Sequence, residues 1–172
     1  MVTLSINNLT KHYGKTRALN DVSFTVNVGE IFGYLGPNGA GKTTTLRIIM
    51  GLVYASQGNV QLFKNDQRSA AIRNDIGYLP GEFHPYGNMT GYALIEYFQR
   101  FRQQKPPVLR EQLLNALDIQ PSDLKRKVKF LSHGTKQKLG LIIAMQHDPK
   151  LLLLDEPTTG LDPLVQKSFR EI

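Results

Sequence analysis

Gly36-Pro37-Asn38-Gly39-Ala40-Gly41-Lys42-Thr43 reads as glycine, four residues, then Gly-Lys-Thr. A chain that carries this run between a strand and a helix has few folds open to it. Glycines let successive backbone N–H groups turn inward onto a β-phosphate, and a helix beginning at Gly41 adds the positive end of its dipole. Lys42 then bridges β- and γ-phosphates, Thr43 offers an oxygen to Mg²⁺, and Thr44 completes the candidate set. With this composition, the four fixed positions would occur by accident in about 1% of such chains, before the flanking elements are counted. The loop recognises only phosphates and their metal, so kinase, GTPase and ATPase all remain open.

The flanks carry the required periodicities. Leu4-Ser5-Ile6 and Val22 to Val26 alternate apolar and polar residues, as half-buried strands do, while Ile31 to Leu35 predicts a strand buried on both faces. Beyond Gly41, the residues Leu46, Ile49 and Met50 predict one helical face with Gly51 as its stop, followed by strands at Asn59 to Phe63 and Asp75 to Leu79. Thr90 predicts a helix cap, with Leu94, Tyr97, Phe98 and Phe101 forming a small core at helical spacing, and a second helix is expected over Val108 to Leu117. Gln103 to Pro107 and Gln120 to Asp123 are linker-like, and Ser132 predicts a helix running through Met145.

Leu151 to Leu154 predicts a short buried strand ending in Asp155 and Glu156. Chemistry gathers at the carboxyl ends of parallel strands. Asp155 is placed to hold Mg²⁺, and Glu156 to polarise an attacking water as general base.

Composition narrows the class further. The 172 residues contain no cysteine, which excludes a disulfide framework, a thiolate zinc site and a cysteine nucleophile and fits a reducing compartment. The longest apolar runs fall far short of the roughly 20 residues of a membrane-spanning helix, and the first residues show no export signal. Much of the +7 charge lies in Lys125, Arg126, Lys127, Lys129, Lys136 and Lys138, within fourteen residues holding no acid. That run reads as a solvated face favouring nearby phosphates, and no nucleic-acid partner is expected. His12, His84 and His147 have no metal-ligand spacing.

Leu151 to Pro163, with Asp155-Glu156-Pro157-Thr158-Thr159-Gly160-Leu161-Asp162 at its centre, resembles the Walker B and D-loop of ATP-binding cassette (ABC) ATPases. Leu131-Ser132-His133-Gly134-Thr135-Lys136-Gln137 lies where that family carries its Leu-Ser-Gly-Gly-Gln signature; Ser132 and Gly134 match, His133 and Thr135 depart. The resemblance implies an α/β fold: a P-loop NTPase core with an N-terminal antiparallel β-subdomain and a helical insert. It implies one ABC ATPase domain over 1–172, with 1–81 and 131–172 as β-subdomain plus RecA-like core and 82–130 as the helical subdomain.

Tyr13 is similar to the aromatic residue that stacks on adenine in that family. Ser132 and Gly134 correspond to the site that takes the γ-phosphate held by an opposite subunit, with Asp162 in the D-loop. The implied partners are a second ATP-binding subunit and separate transmembrane permease subunits, and the implied cofactors are ATP and Mg²⁺. Location is expected at the cytoplasmic face of the cell membrane, with bacterial drug and antibiotic exporters as the nearest type. A soluble ABC ATPase acting on ribosomes or DNA, or a regulatory module without turnover, are the other readings. Gly81 falls where the family places a Gln that ligates Mg²⁺. The family's switch His lies beyond Ile172, so a longer subunit is implied, with weak or no hydrolysis by these 172 residues alone.

Overall fold

A computed structural model describes residues 1–66, 70–102 and 106–170. The linker expected at Gln103 to Pro107 therefore lies partly outside the described residues. The chain divides into two compact units, Met1–Arg73 and Asn74–Ile172.

The first unit is built on a hairpin. Strands β1 (Val2–Tyr13) and β2 (Thr16–Asn27) pair antiparallel, with Leu4 opposite Val26 and Ile6 opposite Phe24. Gly14, at φ 57°, lets a two-residue turn reverse the chain with the twist the strands need. Strand β3 (Gln57–Leu62) pairs antiparallel with the other edge of β1, placing Leu62 opposite Leu4 and Val60 opposite Ile6. The short β4 (Asn65–Asp66) completes the order β2-β1-β3-β4. The alternation expected of these strands is present: Leu4, Ile6, Val26, Val60 and Leu62 are all buried on the core face.

Helix α1 (Lys42–Ile49) packs against β2. Its buried face is Thr45, Ile48 and Ile49, rotated from the expected Leu46, Ile49 and Met50. Thr45 tolerates burial because its hydroxyl donates to the Gly41 carbonyl at 3.1 Å. The expected stop is realised: Gly51 (φ 68°) donates to the Ile48 carbonyl and Leu52 to that of Arg47, the paired bonds of a Schellman cap.

The strand expected at Ile31 to Leu35 does not form. Ile31 is 101% and Leu35 90% exposed, and residues 31–35 join no ladder among the described residues. Phe32 stacks on Phe24 with centroids 4.8 Å apart, and Tyr34 lies 5.3 Å from the same ring. Only the alternate side chains thus meet a partner; a strand buried on both faces needs paired neighbours and two covering layers.

In the second unit, β5 (Ile76–Leu79) runs parallel to β6 (Leu151–Leu154), in register from Ile76 opposite Leu151 to Leu79 opposite Leu154. Around them lie α2 (Gly91–Arg100), α3 (Arg110–Ala116), α4 (Pro121–Lys125), α5 (His133–Met145) and α6 (Pro163–Arg170). Leu79, Leu94, Leu113, Leu117, Leu139 and Leu141 belong to one apolar core. The predicted caps are made: the Thr90 hydroxyl accepts from the Ala93 N–H, and that of Ser132 from the Thr135 N–H.

Two expectations change here. Gln120 to Asp123 opens helix α4 instead of a linker, because Pro121 suits a first helical position and Leu124 anchors the turn in the core. Of the four residues expected as a small helical core, only Leu94 is fully buried, and Phe101 is 67% exposed. Tyr97, Phe98 and Phe101 join Tyr86 in an edge-to-face cluster near the surface, with Tyr97 and Tyr86 5.4 Å apart. The Tyr86 hydroxyl, by its hydrogen bond and its charge, raises the Tyr97 phenol above its ordinary range.

Candidate functional site

Within the phosphate-loop sequence Gly36–Thr43, residues 36–40 form an exposed turn that leads through Gly41 into α1. The Ala40 N–H donates to the Pro37 carbonyl at 3.1 Å, and Gly39 adopts φ 82°, closing a tight turn around Asn38. Gly41, at φ 88°, sits on β2 so closely that a Cβ there would lie 2.4 Å from the Ala18 carbonyl and from Leu19. No other residue type fits that conformation in that space. The turn consequently leads straight into the first turn of α1, whose leading N–H groups have no acceptor within the helix. No side chain caps that helix and no acid lies in its first turn, which leaves an end suited to an anion. Lys42 folds back over the loop, donating to the carbonyls of Gly36 at 2.7 Å and Pro37 at 3.0 Å.

Tyr13 stands half-exposed at the hairpin end, with the Lys11 ammonium 4.8 Å from its ring centroid. This ring already attracts a cation to one face.

In the second unit the chemistry gathers where β5 and β6 end side by side. The Asp155 N–H donates to the Leu79 carbonyl at 3.0 Å, extending the parallel ladder by one bond. Asp155 is buried, at 7% exposure. Gly81 lies directly against that carboxylate, since a Cβ at Gly81 would stand 3.3 Å from both Cγ and Oδ2 of Asp155. The position that carries a Gln in the family thus presents bare backbone to the acid. Glu156 is exposed and takes φ 51°, an uncommon left-handed conformation outside glycine. Holding it costs roughly 1 kcal/mol or more.

Residues 156–162 are tied down from two helices. Gln137 of α5, almost fully buried, donates to the Pro157 carbonyl at 3.4 Å, and Gln166 of α6 donates to that of Leu161 at 2.9 Å. Asp162 caps α6 by accepting from the Val165 N–H at 3.0 Å. That bond holds its carboxyl below the usual carboxylate range, and the charge of Lys138 adds to the effect against partial desolvation.

At the start of α5, the Ser132 hydroxyl accepts from the Thr135 N–H at 3.1 Å and shares a hydrogen with the Thr135 hydroxyl at 2.8 Å. A Cβ on Gly134 would lie 2.6 Å from the Gly160 carbonyl, and one on Gly160 would lie 2.5 Å from the His133 ring. The departures from the signature therefore have local partners: Thr135 pairs with the cap, and His133 covers Gly160. Sequence reasoning passed over Gln137 and Gln166 as binding elements of the loop. The available signal for Gln137 was an amide among the apolar residues of α5.

The residues assigned to metal, Thr43 and Asp155, offer hydroxyl and carboxylate oxygens, the hard donors that Mg²⁺ takes. Gly81 brings backbone, and no side-chain ligand, up against Asp155.

Among the described residues no helix is long and apolar enough to cross a membrane, and no cluster of three or more His, Cys, Asp or Glu side chains forms. A family model for "ABC transporter" matches residues 19–159. The ABC transporter ATP-binding protein YdbJ of Bacillus subtilis, itself uncharacterized, is 38% identical over 172 residues, covering 98% of this chain and 55% of YdbJ. The lantibiotic transport ATP-binding protein SrtF of Streptococcus pyogenes is 38% identical over 169 residues, covering 98% of this chain and 72% of SrtF. The chain thus spans about half the length of YdbJ and most of SrtF. The fold matches the dimeric bacterial ABC transporter cassette MJ0796 with a TM-score of 0.84, at 24% identity over 98% of this chain and 80% of that one. A P-loop α/β architecture, an antiparallel β-subdomain and matches over nearly its whole length agree: the chain belongs to the ABC transporter ATP-binding family.

Proposed function

We propose that this chain is the ATP-binding and hydrolysing part of a transporter, that it pairs with a second ATP-binding subunit, and that together they drive an exporter through separate permease subunits at the cytoplasmic face of the membrane. One observation carries the reading: the uncapped start of α1, reached through two left-handed glycines, with the Lys42 ammonium held across the same loop. A triphosphate supplies what that end lacks, negative charge and acceptor oxygens. Gly36, Pro37, Asn38, Gly39, Ala40, Gly41 and Thr44 contribute backbone to the phosphates, and Tyr13 contributes a face for adenine.

Mg²⁺, held through Thr43 and Asp155, would neutralise charge developing on the transferred phosphoryl group. Glu156 accepts a proton from the attacking water. Ser132, Gly134 and Asp162 belong to the face offered to the second subunit's nucleotide, and the helix start at Ser132 supports that assignment by the same dipole argument. Export is supported by the similarity to SrtF, whose name describes lantibiotic transport. The test is direct. Purified protein is titrated with a fluorescent ATP analogue with and without Mg²⁺, and phosphate release is followed in the same samples. Saturable binding strengthened by Mg²⁺ supports the reading; no binding overturns it.

A further inference from the structure

Asn38-Gly39 is the only Asn-Gly pair in the chain, and the fold sets it at the tip of the phosphate loop. Both residues are exposed. The turn that surrounds them is closed by the Ala40 N–H on the Pro37 carbonyl, so the bond that shapes it uses neither the Asn38 amide nor the Gly39 N–H. Among the described residues, neither of those groups makes a hydrogen bond. Gly39 also has no Cβ, and a Cβ placed there would meet nothing within 4 Å. Gly39 therefore sets no side chain beside its own backbone nitrogen, and the space around it is open.

We propose that Asn38 is a spontaneous deamidation site, and that its conversion places a fixed negative charge inside the phosphate loop and weakens nucleotide binding. Solvent hydroxide removes the Gly39 amide proton, and the nitrogen attacks Asn38 Cγ. The bond from Cγ to Nδ2 breaks and ammonia leaves, taking a proton from water, so that a five-membered succinimide closes. Water then opens the ring at either carbonyl, giving aspartate or isoaspartate. The net change is one amide and one water converted to one carboxylic acid and one ammonia. No oxidant, metal or enzyme enters.

Two consequences follow. The new carboxylate repels a polyphosphate lying on the same backbone N–H groups. Isoaspartate also adds a methylene to the main chain in a turn whose following residues are set by Gly39 at φ 82° and Gly41 at φ 88°. A bound nucleotide, by contrast, would occupy the Gly39 N–H and hold the loop away from the cyclising geometry. Deamidation and nucleotide binding therefore oppose each other. This second half rests on the ATP reading, whereas the modification itself does not.

The experiment incubates the whole chain at mildly alkaline pH, with and without MgATP. Peptide mapping follows the mass gain at each asparagine, and isoaspartate methyltransferase labelling follows the rearranged product. ATP binding by the fresh protein is measured in parallel. Asn38 should convert at least about tenfold faster than Asn20 or Asn59, neither of which precedes glycine. MgATP should slow it, and Asn38→Asp should weaken ATP binding by roughly tenfold. Asn38→Gln removes the site while keeping an amide, and should abolish labelling of this peptide. Conversion of Asn38 no faster than its neighbours overturns the proposal. Equal binding by Asn38→Asp, or no protection by MgATP in protein that binds ATP, overturns its functional half. Failure of the fresh protein to bind ATP overturns the ATP reading instead, and leaves the peptide map to decide the modification.

Discussion

Lys42 is held by two loop carbonyls, so its side chain is already in place before a phosphate arrives. Replacing it with alanine removes the only full charge in the loop. Lys42→Ala should lower ATP affinity at least tenfold in a nucleotide titration while leaving the thermal transition nearly unchanged, since the side chain is only half-buried and belongs to no apolar core. Glu156→Gln keeps shape and hydrogen bonding but removes the base. It should bind ATP as the parent does and release phosphate at least a hundredfold more slowly; equal turnover would remove Glu156 from that role. Gly134→Ala drives a methyl to within 2.6 Å of the Gly160 carbonyl, and should cost about 1–3 kcal/mol of stability by denaturant titration. The loop at Gly36 to Thr43 was legible from residue types alone, because each position answers to a separate physical demand on a short stretch of backbone. The contact of Gly81 with the Asp155 carboxylate, and the hold of Gln137 on Pro157, were less open to reading. They arise from residues more than fifteen positions apart, and no local pattern encodes such meetings.

The caps are the elements' most readable features and also their most testable. Thr90→Ala deprives the Ala93 N–H of its acceptor and should destabilise the protein by about 1 kcal/mol. Helix α6 depends on Asp162 in a way that pH can expose. Its folded carboxyl is held below the ordinary value by the Val165 N–H, so its contribution is fully present above about 3.9, the unfolded value, and is lost as pH falls through the lower folded one. An acid titration of the Val165 amide resonance should report that loss, and Asp162→Asn, which caps without titrating in this range, should remove the dependence. Element identity was legible wherever periodicity and a cap coincided, as at Thr90 with α2 and Ser132 with α5. It failed at Ile31 to Leu35, where a continuous apolar run is compatible with burial on one face or two, and only Phe32 and Tyr34 found a partner in Phe24. It failed at Gln120 to Asp123 for the opposite reason: polar residues concealed a helical turn whose single anchor is Leu124.

For the molecule as a whole, the partner is the decisive observable. Protein captured in mild detergent from its source should bring an integral membrane permease with it, and ribosomal or DNA partners in its place would move the same chemistry to another class of machine. The order of antiparallel strands, phosphate loop, helices and acid-tipped strand was legible because each junction carries a turn, a cap or a charge. The aromatic cluster around Tyr97 was not, since helical spacing indicates which residues share a face but not what covers it. Within the second unit, α5 shows how such a machine can be geared. Its thirteen residues span about 20 Å, and two glycine contacts set backbone against backbone without the side-chain layer that usually separates elements. Gly134 abuts the Gly160 carbonyl, and Gly77 of β5 abuts the Ala144 carbonyl. With no cushion at these points, the helix that starts at Ser132 and the strand that ends beside Asp155 are joined as by a stiff rod, and a displacement at one end is expected to reappear at the other instead of being absorbed between them.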